Sequence, residues 1–329
     1  MILNRIFRRL YNPSIYQGPK NPDHYFEGWY FKLVDQEGHH IWSVIPGVSY
    51  AGDTHSFVQV IDAISGKTYY HRFPVEAFWY STRSFHIQVG RNYFSAQGIT
   101  LYLEGEGISL KGALTFNDTH PFPVKALAPG IMGWYAFVPF MECYHGVVSM
   151  QHRIQGNLTI DGSVITFDQG KGYLEKDWGQ SMPTDWIWIQ SNHFVQDHEA
   201  SFMLSLARIP WLKEFFPGFL AFLLWEGKVY RFATYNRSSV DHLEVDDEQV
   251  KVRLKNKRFS LEVTVLRSEG GVLKAPRLGA MDRDIKESIV SSLHVELKNR
   301  KGEVLFSDWG RHSGLEIVGD MEQYYKNID

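Results

Sequence analysis

Between Gly172 and Asn192 the chain reads GYLEKDWGQSMPTDWIWIQSN, a stretch that sets Glu175 and Asp177 close to Trp178, Trp186 and Trp188. At the two-residue period of a strand, Trp186, Trp188, Gln190 and Asn192 share one face, while Ile187, Ile189 and Ser191 share the other. One face is aliphatic and suited to packing. The other is two aromatic plates that give way to two amides, the chemistry of a wall lining an apolar cavity with a polar end. The segment before it alternates too, with Tyr173, Glu175 and Asp177 on one side and Leu174, Lys176 and Trp178 on the other. Each feature also has a plainer structural reading. Glu175 and Lys176 could belong to a buried ion-pair network, Glu27 could pair with a Lys or Arg across a barrel, and Trp186 and Trp188 could be core.

The elements that must position these residues are short strands. Tyr25 to Leu33 alternates, with Phe26, Tyr30 and Lys32 opposed to Glu27, Trp29 and Phe31. Further strands are predicted at 41–48, 56–61, 68–73, 85–89, 99–104, 109–116, 157–160 and 164–167, with turns at Ser65 to Lys67 and at Asp161-Gly162. The second half continues at 186–193, 201–207, 219–225, 228–233, 250–254, 259–266, 293–298, 304–308 and 314–318. This density of strands predicts an all-β chain of tandem antiparallel barrels or sandwiches. At 329 residues two domains are expected, 20–170 and 171–329. The apolar run Ile209 to Leu224, interrupted by Lys213, Glu214, Pro217 and Gly218, is too broken to span a bilayer. It reads as a loop followed by a buried strand, or as an apolar loop that rests on a membrane or gates a lipid pocket.

Composition narrows the function classes. Hydrophobic residues make up 44%, charged residues 22% and aromatics 15%, and the net charge is −3. The aromatic excess suits strands and a large apolar ligand, and the charge gives no footing for nucleic acid. Cys143 is the single cysteine, which excludes an internal disulfide and a Cys-based zinc site. The N-terminal MILNRIFRRLYNP lacks the apolar core of a signal peptide and reads as a frayed, solvated end or a short basic amphipathic segment. The setting expected is cytoplasmic, with peripheral membrane contact through 209–224 as the variant. Neither His39-His40 nor His193 with His198 makes a compact ligand set, so no metal is expected. No phosphate-binding glycine loop and no G-x-S-x-G elbow occurs, and no cofactor is expected.

Two motifs carry a resemblance. Phe26-Glu27-Gly28-Trp29-Tyr30-Phe31, and Glu175-Lys176-Asp177-Trp178-Gly179 leading into Trp186 to Asn192, resemble the F-E-G-W-Y-F, E-K-N-W-G and W-x-W-x-Q-x-N segments of the tocopherol cyclase family. Weaker likenesses at Gly133-Trp134, Phe140-Met141-Glu142 and Leu273-Lys274-Ala275-Pro276 keep the family's order, so the similarity runs from about residue 13 to 319. The resemblance implies two lipocalin-like β domains, shared with carotenoid hydratase-like proteins. It also implies an isomerase of the intramolecular lyase type, closing a prenylated benzoquinol to a chromanol. Asp177 stands where the family has Asn, and fold transfers more safely than substrate.

Such chemistry needs an acid that is protonated at neutral pH, electron-rich rings to face a tertiary carbocation, exclusion of water and groups that hold ring hydroxyls. The candidates for the acid are Asp177 first and Glu175 second. Glu27 and Glu142 join them because an Asn at the family's position 177 cannot donate the proton. Trp29, Trp178, Trp186 and Trp188 are the candidate rings, and Gln190 and Asn192 the candidate amides. Lys176 is a potential electrostatic partner that would hold a neighbouring carboxyl ionised. A carrier of isoprenoid quinones or lipids, and an isoprenoid hydratase or isomerase, are the alternative readings of the same cavity.

Overall fold

A computed structural model describes residues 7–19, 23–139, 141–211 and 214–326. The chain divides into two compact units, Met1–Met182 with Val272–Asp284, and Pro183–Gly271 with Ile285–Asp329. The passage from first to second thus follows Met182, beyond the position near 170 expected from length and strand count.

Among the described residues the first unit is built on a 12-stranded antiparallel sheet. Its centre runs His55–Asp62, Ile41–Tyr50, Tyr25–Val34, Gly170–Gly179, Cys143–Ile160, Ile108–Asn117 in spatial order. Residues from both ends of the strand order share one core. Val58 and Val60 join Trp29, Phe31, Phe85, Ile87 and Phe94 in it, so the sheet wraps around its own apolar face. Trp29 stacks on Phe85 at 5.7 Å between ring centroids. The Asp161-Gly162 turn joins Cys143–Ile160 to Ser163–Thr166 with both residues at positive φ, 48° and 86°, as a tight hairpin turn of that composition requires.

The Gly170–Gly179 strand pairs with Tyr25–Val34 on one side and Cys143–Ile160 on the other. It therefore lies inside the first sheet rather than beside the Trp186–Ser191 strand, its sequence neighbour. The far edge of the tandem reading also shifts. Residues 272–284, which sequence position alone places in the second half, dock on the first sheet. The Gln59 side chain accepts from the Lys274 backbone N–H at 2.7 Å and donates to its carbonyl at 3.2 Å, and Ser49 donates to the Gly279 carbonyl at 2.6 Å.

The second unit is built on the strands of a second antiparallel sheet. Trp186–Ser191 lies between Ser201–Trp211 and Val304–Val318, with Ile187 and Ile189 in a core shared with Phe202, Leu204, Leu223 and Val263. The apolar run at 209–224 is a hairpin rather than a loop. Ser201–Trp211 and Glu214–Trp225 pair up to Trp211 opposite Glu214, and Lys213 lies outside the described residues.

Candidate functional site

The two central strands of the first sheet bury both of their faces, and each face holds a different polar cluster. On the core side, register sets Glu27 opposite Trp178, Trp29 opposite Lys176 and Phe31 opposite Leu174. Lys176 and Glu27 are fully buried and meet at 2.5 Å. The ammonium's other two protons go to the carbonyls of Pro13 at 2.9 Å and Ile15 at 2.6 Å, so all three donors are used. Glu27 accepts in turn from the Gln17 N–H at 2.8 Å, the Gly18 N–H at 3.0 Å and the Tyr25 hydroxyl. Burial pulls the Lys176 ammonium down to about 8, and the Glu27 carboxylate opposes the shift.

Lys176 also sits over the rings of Trp29, at 4.8 Å, and Trp178, at 4.7 Å. A lysine ammonium thus lies within cation–π reach of two of the four candidate rings. This cluster ties the segment 13–18 onto the sheet, with Ile15 and Tyr16 buried, where the sequence suggested a frayed end up to Pro13. Glu27 does pair with a lysine, as its plainer reading expects, but with one on the adjacent strand and not across a barrel.

The opposite face gathers different residues. Tyr30 is opposite Glu175, Gly28 is opposite Asp177, and from the other neighbour His145 is opposite Asp177 and Val147 opposite Glu175. The His145 ring lies between the two carboxylates, its Nδ1 2.9 Å from Asp177 Oδ1 and its Nε2 3.5 Å from Glu175 Oε2. The Tyr173 hydroxyl donates to the same Glu175 oxygen at 2.6 Å. Burial, reinforced by the adjacent carboxylate, raises the Tyr173 hydroxyl well above its ordinary range, so it stays a donor. Ser43 donates to the Tyr30 hydroxyl at 2.8 Å, and Lys32 is fully buried on the same face. The side chain of Glu175 is 5% exposed and that of Asp177 25%, so the cluster grades from a buried acid to one that water reaches.

The ligand atoms of His145, Glu175 and Asp177 lie within 4.8 Å of one another. That spacing would admit one divalent cation, and equally a hydrogen-bonded chain in which the imidazole donates to a carboxylate. The histidines considered from sequence, at 39, 40, 193 and 198, take no part in it.

The remaining candidates lie elsewhere. Glu142 directly precedes the Cys143–Ile160 strand, its carboxyl pushed up by partial burial. Trp178 stacks on Tyr144 at 5.5 Å. Trp186, Trp188 and Gln190 belong to the second unit, buried on the face of their strand opposite Ile187 and Ile189, and Asn192, also buried, follows the strand's end at Ser191. The Trp186 indole N–H donates to Glu316 at 2.6 Å. Gly314 provides the gap into which the Trp188 ring fits, since a Cβ there would stand 2.4 Å from the indole.

The family model described as tocopherol cyclase-like matches residues 114–319. This chain belongs to the tocopherol cyclase-like family. It is 25% identical over 209 residues to the chloroplastic tocopherol cyclase of Zea mays, a span of 60% of this chain and 43% of that protein. The probable chloroplastic tocopherol cyclase of Oryza sativa subsp. japonica is 25% identical over 200 residues, 57% of this chain and 42% of that one. The chain therefore spans less than half the length of these relatives.

Among solved structures, the putative AttH from Nitrosomonas europaea superposes with a TM-score of 0.53 at 14% identity, covering 91% of this chain and 94% of that one. CghA, solved with Sch210972, superposes with a TM-score of 0.54 at 14% identity, covering 91% and 89%. These likenesses agree with the lipocalin-like β fold.

Within the family frame, the two sequence motifs containing Glu27 and Lys176 meet as one buried ion pair. His145, Tyr30 and Tyr173 are the residues of the carboxylate cluster that sequence reasoning did not select. The sequence period puts Tyr30 and Tyr173 on strand faces and marks no role for them. His145 alternates with Cys143 in CYHGVV, but its partner Asp177 is set only by the register between Cys143–Ile160 and Gly170–Gly179.

Proposed function

We propose that this protein is an enzyme that closes a prenylated aromatic alcohol into a ring by protonating its alkene, with Glu175 as the acid. The observation that carries the reading is the His145 ring between Asp177 and Glu175 on a buried strand face. In this role Glu175 gives its proton to a trisubstituted alkene, forming a C–H bond and a tertiary cation. The phenolic oxygen then closes on the cation, and its proton passes to the Glu175 carboxylate, which restores the acid with no net change in atoms. Asp177, the more exposed carboxylate, orients His145 through Nδ1 and links the chain to water. An Asn in that position could still accept the Nδ1–H bond through its amide oxygen, so the family's Asn fits an orienting role where it does not fit a donor. Glu27, engaged by Lys176 and three other donors, serves the fold. Tyr30 and Tyr173 supply electron-rich rings on this face.

In the second unit, Trp186, Trp188, Gln190 and Asn192 are proposed as a strip that binds an apolar ligand with a polar end. Tryptophan quenching by a prenyl quinol, lost in Trp188→Ala, tests that role by itself. The family match and its chloroplastic tocopherol cyclase relatives support the choice of a prenylated benzoquinol as the first substrate to try.

The deciding experiment incubates the full chain with such a quinol in heavy water and follows products by chromatography and mass spectrometry. Acid-initiated closure leaves one non-exchangeable deuterium on carbon in a product of altered retention time. Recovery of unchanged but bound quinol would replace this reading with a carrier. Addition of water to the alkene would mark a hydratase. Chelation with EDTA should leave the rate unchanged if protons alone are at work, whereas loss on chelation and recovery with a divalent cation would assign the His145 cluster to a metal.

A further inference from the structure

The second unit carries a concave site that the cyclisation chemistry does not use. A cavity of about 590 Å³ is lined by Lys228, Arg231, Arg237, Lys257 and Arg258, with no carboxylate among its described lining residues. These side chains come from three separate places in the chain: the Lys228–Ala233 strand, the turn that follows it and the 256–258 turn. Lys228, Arg237, Lys257 and Arg258 set four like charges around one hollow, which repel one another, while Arg231 donates there to the Tyr235 hydroxyl at 3.4 Å. Elsewhere in the unit Arg253 and Lys255 both meet Asp241.

The turns that present the cations are held in place. Asn236 accepts from the Ala233 N–H at 3.1 Å and donates to the Arg231 carbonyl at 3.0 Å, while Asn256 accepts from the N–H groups of Arg258 at 2.9 Å and Phe259 at 3.0 Å. Arg237 sits at φ 63°, a left-handed conformation uncommon for a side chain of its size. Tyr230 and Phe259 pack edge to face at 5.3 Å as the apolar floor, and the Arg258 guanidinium lies 5.5 Å from the Phe259 ring centroid. Several guanidiniums, whose planar forks match phosphate oxygens in pairs, set around a pinned hollow are suited to a multiply charged phosphate.

We infer that this cavity binds a phosphate-bearing ligand, supplied either as a soluble phosphate ester or as a lipid headgroup. Inorganic pyrophosphate, titrated calorimetrically into the full-length chain, is the first probe. Vesicles of phosphatidylcholine with phosphatidylglycerol, followed by co-sedimentation, are the second. Arg237→Asn with Arg258→Ser removes two charges, and Asn suits the left-handed position. Arg300→Ser with Lys301→Ser removes two charges from an exposed turn of the same unit that lies outside the cavity lining.

Pyrophosphate affinity is expected to fall at least about tenfold in the cavity pair and to change less than about twofold in the control pair. Lys257→Ser, in an exposed turn, gives a second removal should the cavity pair unfold. Vesicle binding displaced by pyrophosphate would identify a headgroup as the ligand, and pyrophosphate binding without vesicle binding a soluble ester. Failure of both probes to bind, or equal losses in cavity and control pairs, would overturn the assignment.

Discussion

His145 lies between two carboxylates, hydrogen-bonded to Asp177 and 3.5 Å from Glu175, and this gives the variants of the cluster distinct expected effects. Glu175→Gln keeps the shape and the Tyr173 hydrogen bond but removes the proton, so the rate of deuterium transfer to carbon should drop by about 10²- to 10⁴-fold, the usual worth of a general acid. Asp177→Asn keeps an acceptor for His145 Nδ1 and should stay within about tenfold of the parent rate under the same assay. His145→Phe should resemble Glu175→Gln more than Asp177→Asn. If Asp177→Asn proves the more damaging change, the donor is Asp177 and the roles above are reversed.

The strand pair Tyr25–Val34 and Gly170–Gly179 is held from its core side by the Glu27–Lys176 contact, and there the cost of disruption is a matter of stability. Lys176→Met leaves a carboxylate in a dry site and should lower unfolding free energy by about 3–5 kcal/mol, the range for breaking a buried pair. Glu27→Gln combined with Lys176→Met should cost less than the two single changes added together, as read from denaturant midpoints, because neither partner is left charged and alone. Strict additivity would mean that the two groups are held by their other partners and not by each other. In the second unit, the Trp186–Ser191 strand depends on Gly314. Gly314→Ala places a methyl group against the Trp188 indole, and should destabilise by about 1–3 kcal/mol while shifting the tryptophan emission spectrum.

For the molecule as a whole, acid stability is set in part by a histidine that has no role in the proposed chemistry. His152 is fully buried against Phe116, and burial lowers its pKa from 6.5 to about 3. The folded chain therefore holds the ring neutral while the unfolded chain protonates it below 6.5. The stability this residue contributes is complete above 6.5 and is lost as the pH falls toward 3. Between pH 7 and 5 the loss from His152 should be about 2 kcal/mol. His152→Leu should reduce the drop in urea unfolding free energy over that interval by the same amount. An identical pH slope in parent and variant would show that the ring is charged in the folded state.

Much of the strand-level description was present in the sequence because a strand's side chains alternate whatever its neighbours are. The separation of Glu175 and Asp177 from Lys176 and Trp178, of Glu27 from Tyr30, and of Ile187 from Trp188 follows from that period and holds in the fold. The all-β class and the tight Asp161-Gly162 turn follow from equally local causes. Pairing and register are not local, and only the tertiary structure decided them. They set Lys176 over Trp29 and Trp178 and drew residues 13–18 onto the sheet through carbonyls that no sequence pattern marks. They also docked 272–284 on the first unit and brought His145 to Asp177 across 32 residues of chain. Each of these contacts joins segments whose separation in sequence carries no information about distance in space, so residue types and spacing mark the acids and the rings, whereas the histidine between the acids comes from the fold.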